Sequence, residues 1–238
     1  MRWSWRRPPE GRCSRRHRIL PSTTTHRLEA FSDGVIAIAI TLLVLNLQVP
    51  HVKDGDLFDA IVDDWTSYAA FVLSFAVIGI MWVSHHSMFE RIVTVDRPLM
   101  FLNLILLMGI AFLPFPTSLL ATYVREEGSN AHIAAAIYST AMLAIGLAFL
   151  GMWLRLARRP ELLIEGIAPE RIQAAIRKSL VGPVVYAVTI GLAFVSAAAC
   201  FVIYALMTVY FALGPSSRVA TPEEQAAAAE AAAEGAED

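Results

Sequence analysis

Residues 27–50 read RLEAFSDGVIAIAITLLVLNLQVP, and the character of this stretch decides the fold. Positions 31–49 form an almost unbroken apolar run of nineteen residues with one acid, Asp33, in its first turns. At about 1.5 Å rise per residue, a helix of that length covers about 28 Å, close to the hydrocarbon thickness of a bilayer. Its Val, Ile and Leu content would also suit a buried strand, but strands rarely exceed about ten residues. The stretch predicts a membrane-spanning helix.

The same pattern recurs along the chain. Apolar runs at 66–84, 98–120 and 131–154 predict three more spans, and Pro114 and Pro116 predict a kink or early end near Phe112 in the third. Residues 180–213 are too long for one crossing and short for two. A break near Ser196 would give a fifth and a sixth span; one tilted helix is the alternative. Between the first two spans, HVKDGDLFDAIVDDW reads as a loop with room for a short interfacial helix. Residues 155–179 form the longest polar connection.

Composition agrees with a polytopic membrane protein. Of 238 residues, 56% are hydrophobic and only 17% charged, where soluble domains sit near 25%. The net charge of −2 hides a strong segregation. Apart from Lys53 and Arg125, all 19 Lys and Arg residues fall in the N-terminal tail through Arg27, the 85–98 turn, the 155–179 connection or the C-terminal segment. That bias places both termini in the cytoplasm, which requires an even number of spans and favours six. The expected fold class is an all-α membrane protein with six transmembrane helices per subunit, multi-pass in the cell membrane. Residues 1–26 are expected as a basic disordered tail, with binding to anionic lipid headgroups as the alternative, 27–213 as the transmembrane domain, and 214–238 as an acidic, Ala-rich disordered tail.

This topology brings polar residues to one depth. Arg27, Ser32 and Asp33 start the first span, Trp82, His85 and His86 end the second, and Asp96, Arg97 and Asn103 begin the third. An ionised Asp33 in lipid needs a partner, and Arg27, six positions away, lies on another helix face. A structural clamp, a gating or proton-sensing network and a metal site are the options for this cluster. Adjacent histidines point to different faces, and no HxxxH, HExxH or CxxCH spacing supports the metal. Cys13 and Cys200 are far apart, and neither phosphate-binding loops nor a catalytic triad or paired-carboxylate arrangement is present. The chain is not expected to be an enzyme, to carry a cofactor or to bind nucleic acid.

Along the first span, Ile38, Thr41, Leu42 and Leu45 make one helical stripe, and Ile36, Ile40, Leu43 and Leu47 make another of equal apolarity. Periodicity does not say which stripe faces lipid, protein or a conduction path. Arg27, three intervening residues and Phe31-Ser32-Asp33, followed by Gly34-Val35 and AIAIT, resemble the R-x3-F-S-D signature of the transmembrane protein 175 family. Trp82, His85-His86, Asp96, Asn103 and PFPTSLL also fit that family's pattern, so the resemblance covers roughly 27–213. It implies a potassium channel, modestly selective over sodium, whose pore is lined by the first helix. The signature occurs once, so the implied assembly is a homotetramer. The implied constriction is Ile38, Leu42 and Leu45, with Thr41 the one hydroxyl on that face, and the F-S-D residues with the second-span histidines form the implied interhelical network. No TVGYG is present, so selectivity would not come from a carbonyl cage. A secondary transporter and a non-conducting membrane scaffold are the other classes to set against a channel.

Overall fold

The computed structural model describes residues 22–51, 55–123 and 128–213; positions 1–21 of the expected basic tail 1–26, the whole expected acidic tail 214–238, and Lys53 and Arg125 lie outside these. The described chain is built from eight helices. In order they are α1 (Ser22–Leu42), α2 (Leu57–Asp63), α3 (Trp65–Phe89), α4 (Arg97–Phe112), α5 (Pro114–Tyr123), α6 (Ser129–Arg158), α7 (Pro169–Ala193) and α8 (Ala197–Leu213). Five helical stretches are long and apolar enough to cross a membrane, with α4 and α5 together making one of them. The sixth apolar helix, α8, has 17 residues.

Two boundaries differ from expectation. The first helix begins at Ser22, inside the stretch read as a basic tail, and its α-helical part ends at Leu42 in a 3-10 turn, Leu43–Asn46. His26, Arg27 and Glu29 are tolerated within it because side chains near a helix end reach the interface or find partners. Likewise α7 starts at Pro169, so the second half of the polar connection is helical. Proline pre-sets the first turn and Glu170 suits its dipole. The last apolar run is therefore split into helices of 25 and 17 residues at a turn through Phe194, Val195 and Ser196.

At Pro114 the third span breaks between α4 and α5, as its missing N–H requires. Asn46 Nδ2 donates to the Pro114 carbonyl at 2.9 Å, so the end of the first span caps this break. Helix α6 is the hub, packed against α4, α5, α7 and α8, while α1 lies against α3 and α4. Small residues allow the close approaches. A Cβ on Gly109 of α4 would sit 2.7 Å from Ile145 Cγ1, and one on Gly151 of α6 would sit 3.2 Å from Leu102 Cδ2. Ser139 of α6, with Thr189 of α7 at 3.0 Å and Tyr204 of α8 at 2.6 Å, forms a buried polar node. Outside the helices, Val93 N donates to Leu162 O and Ile164 N to Arg91 O, and the Arg91 guanidinium lies 5.6 Å over the Trp153 ring.

Candidate functional site

The start of α1, the end of α3, the start of α4 and the end of α6 meet at one end of the molecule, its polar end. Three separate polar clusters hold them there. The first is fully buried. Asn103 Nδ2 of α4 donates to Ser32 Oγ at 2.9 Å, and Ser32 donates onward to its own helix at Leu28 O, 2.8 Å. Asn103 Oδ1 then accepts from His85 Nε2 of α3 at 2.9 Å. The network admits one hydrogen assignment: Nε2 carries the proton, and the buried Nδ1 of His85 is left without a partner. His85 stacks on Phe89 with centroids 4.3 Å apart. Three helices are thereby pinned through one amide and one hydroxyl.

The second cluster answers where Asp33 finds its partner. Trp82 Nε1 of α3 donates to Asp33 Oδ1 at 3.0 Å. The Trp82 ring stacks on His86 with an interplanar angle of 14°, and His86 Nδ1 lies 3.2 Å from Glu29 Oε1 on α1. In the third, Asp96 caps α4 through Leu99 N at 3.0 Å and forms an ion pair with Arg155 of α6. Burial pushes the Asp96 carboxyl up, but the hydrogen bonds from Arg155 and Leu99 N outweigh it and hold the carboxyl below its ordinary range.

Sequence reasoning placed nine residues in one polar network. Six of them, Ser32, Asp33, Trp82, His85, His86 and Asn103, are linked between helices at this end in the first two clusters. Asp96 also bridges helices, but toward α6 and apart from the others. Arg27 and Phe31 are exposed on the subunit and join neither cluster. Two members were missed. Glu29 stands four residues before Asp33 on the same face, a spacing the sequence does show. Arg155 was already placed at this end by the alternation of spans, but nothing in the sequence singled it out as the partner of Asp96. Among the described residues, no group of three or more His, Cys, Asp and Glu is placed to hold a metal.

The two stripes of α1, equal in sequence, separate in the structure. Ile36 and Leu43 are 2% and 0% exposed, whereas Ile38 and Leu45 are 60% and 73% exposed, with Thr41 and Leu42 exposed between them. Thr41 Oγ1 donates its proton to Ile38 O at 2.9 Å, which leaves the hydroxyl lone pairs as its outward face. The 3-10 turn brings Leu45 into line with Leu42, because residues three apart eclipse in that geometry.

Comparison with known proteins gives a consistent picture. The family described as "Endosomal/lysosomal potassium channel TMEM175" matches residues 27–114. A protein named as a potassium channel from Streptomyces collinus is 45% identical over 203 residues, covering 85% of this chain and 97% of that one. Another, from Chamaesiphon minutus, is 40% identical over 196 residues, covering 79% and 94% respectively. The crystal structure of a lysosomal potassium-selective channel TMEM175 homolog from Chamaesiphon minutus superposes with a TM-score of 0.73 at 37% identity, over 82% of this chain and 100% of that one.

Proposed function

The chain belongs to the TMEM175 family of potassium channels, membrane ion channels and not enzymes, and from that premise we propose that it conducts potassium through a pore lined by α1. Four copies surround the axis in the cell membrane. Each contributes six crossings, the two termini and the polar end face the cytoplasm, and the permeant ion is the only ligand required. The observation that carries this proposal is the exposed stripe of α1. Ile38, Thr41, Leu42 and Leu45 are turned away from a core that takes Ile36, Ala39 and Leu43 from the same helix. A ring of Ile38 side chains would close the path by excluding water, and a small widening would admit an ion with part of its hydration shell. Thr41 lone pairs would replace some of the water shed. Discrimination against sodium is then modest, because no multidentate cage is built.

The test is potassium-gradient flux in liposomes. Ile38→Asn is expected to raise the flux by about tenfold, since a polar ring no longer dewets the constriction. Flux equal to that of the unmodified chain would remove Ile38 from the pore. Saturable, ion-coupled uptake would identify a transporter instead.

A further inference from the structure

At the end opposite the polar one, the chain between the first two spans folds into α2, and no residue of this helix is buried. At about 100° per residue, Leu57, Phe58, Ile61 and Val62 fall within an arc of about 140°, and Asp56, Asp59 and Asp63 within about 60° on the opposite side. All four apolar side chains are exposed, Phe58 at 75%. Helix α2 packs against α3, and Ala60 and the C-cap Asp64 are its half-buried positions, so the apolar arc is turned away from the subunit. Asp64, at ψ 21°, departs from helical geometry, and the chain changes direction before α3 begins at Trp65. Ser67 Oγ donates to Asp64 Oδ1 at 2.6 Å, and Ser67 N to the Asp64 carbonyl at 3.0 Å, which fixes that joint.

We propose that α2 lies flat in the bilayer interface, with Leu57, Phe58, Ile61 and Val62 among the lipid chains and the aspartates in water. Depth is set by α3. Its 25 residues span about 37 Å, more than the hydrocarbon layer of about 30 Å, so its first turn stands among the headgroups. Trp65 opens that turn and is 56% exposed, and an indole favours this level of the membrane. One residue separates Trp65 from α2, so the apolar arc continues the membrane-crossing surface of α3. A short helix at that depth with its apolar and charged faces cleanly divided is stable lying in the interface plane. A second copy of the chain fits less well. Four side chains fall far short of the roughly 800 Å² per partner of a stable protein contact, and a second α2 laid on the arc would set its aspartates beside these. Lipid makes neither demand. The placement anchors the chain that leaves α1 to the membrane surface, and it does not depend on α1 lining a conduction path.

The full chain is reconstituted in phosphatidylcholine vesicles in a Cys13→Ser background, with the buried Cys200 left in place. Spin labels are attached one at a time to Phe58→Cys, Val62→Cys, Asp56→Cys and Asp59→Cys. Collision with dissolved oxygen, which concentrates in lipid, is compared with collision with a water-soluble nickel chelate. The oxygen-to-nickel ratio at positions 58 and 62 is expected to exceed that at 56 and 59 by at least about threefold, since the two pairs lie on opposite faces of the helix. Equal ratios at all four positions would mean that water bathes the whole helix, and would overturn the proposal. Low collision with both reagents at 58 and 62 would place them against protein and overturn it too, with spin–spin broadening there identifying a second copy as the occupant.

Discussion

In the proposed pore, Thr41 is the residue expected to bear on ion preference. Its proton is spent on the Ile38 carbonyl, so it can offer a proposed pore only oxygen lone pairs. Potassium releases water more readily than sodium and gains more from such a partial replacement. Thr41→Ala is expected to move the reversal potential, under a potassium–sodium gradient, toward zero selectivity, a loss of about two- to fivefold in permeability ratio if the hydroxyl contributes a net 0.5–1 kcal/mol. An unchanged reversal potential would show that the hydroxyl does not meet the ions. Asp96 is the residue whose titration bears on folding. Its carboxyl is held below the ordinary range, so the stabilisation it gives is complete above about pH 4 and is lost as pH falls through the lowered value. Asp96→Asn keeps the cap, since an asparagine oxygen also accepts from Leu99 N, and is expected to cost about 1–2 kcal/mol at neutral pH through the lost charge facing Arg155. The gap from the unmodified chain should close below about pH 4 in thermal unfolding in detergent.

At the scale of elements, helix spacing is set by hydrogen atoms where side chains would otherwise stand. Gly109→Leu would drive a side chain into Ile145, where even a Cβ comes within 2.7 Å, and is expected to lower stability by about 1–3 kcal/mol. Gly191 of α7 has no neighbouring heavy atom within 4 Å of an added Cβ, so Gly191→Ala is expected to be neutral or to gain up to about 1 kcal/mol by helix propensity. Thermal midpoints of the two variants check both. The spans themselves were legible because lipid selects apolar runs by length, and the break before Pro114 because proline has no N–H to give. Helix starts were less legible. Charges in the first turns of α1 suggest a boundary near Phe31, yet the helix continues back to Ser22, since a side chain at the interface does not need to leave the helix to reach water or a partner. Pairing was least legible of all. Arg27 and Asp33 stand out by sign and proximity, but Asp33 is held by an indole from α3, and the helix period, which turns Arg27 to another face, decided that.

For the whole molecule, the single subunit leaves open a surface that its own core does not use. On α1 this surface is the exposed stripe of Ile38, Thr41, Leu42 and Leu45, and the four copies around one axis proposed above would cover it. Native mass spectrometry from detergent is expected to give four subunits, and Leu45→Cys is expected to cross-link neighbouring copies under mild oxidation. A single-subunit mass would leave the stripe facing lipid and end the pore assignment. The division of α1 into a buried and an exposed stripe was not legible from periodicity, because both are equally greasy; only packing against α3 and α4 tells them apart.

The short backbone pairing of Ile92 with Leu163 has a consequence for biogenesis. The two paired residues stand 71 positions apart in the chain. At a ribosomal pace of about 5–20 residues per second, the first waits roughly 4–14 s for the second to be made. Throughout that interval the connection between α3 and α4 lacks its partner in this pairing. The pairing can close only after α6 has been made and ends beside that connection, so chain order puts it after the hub helix.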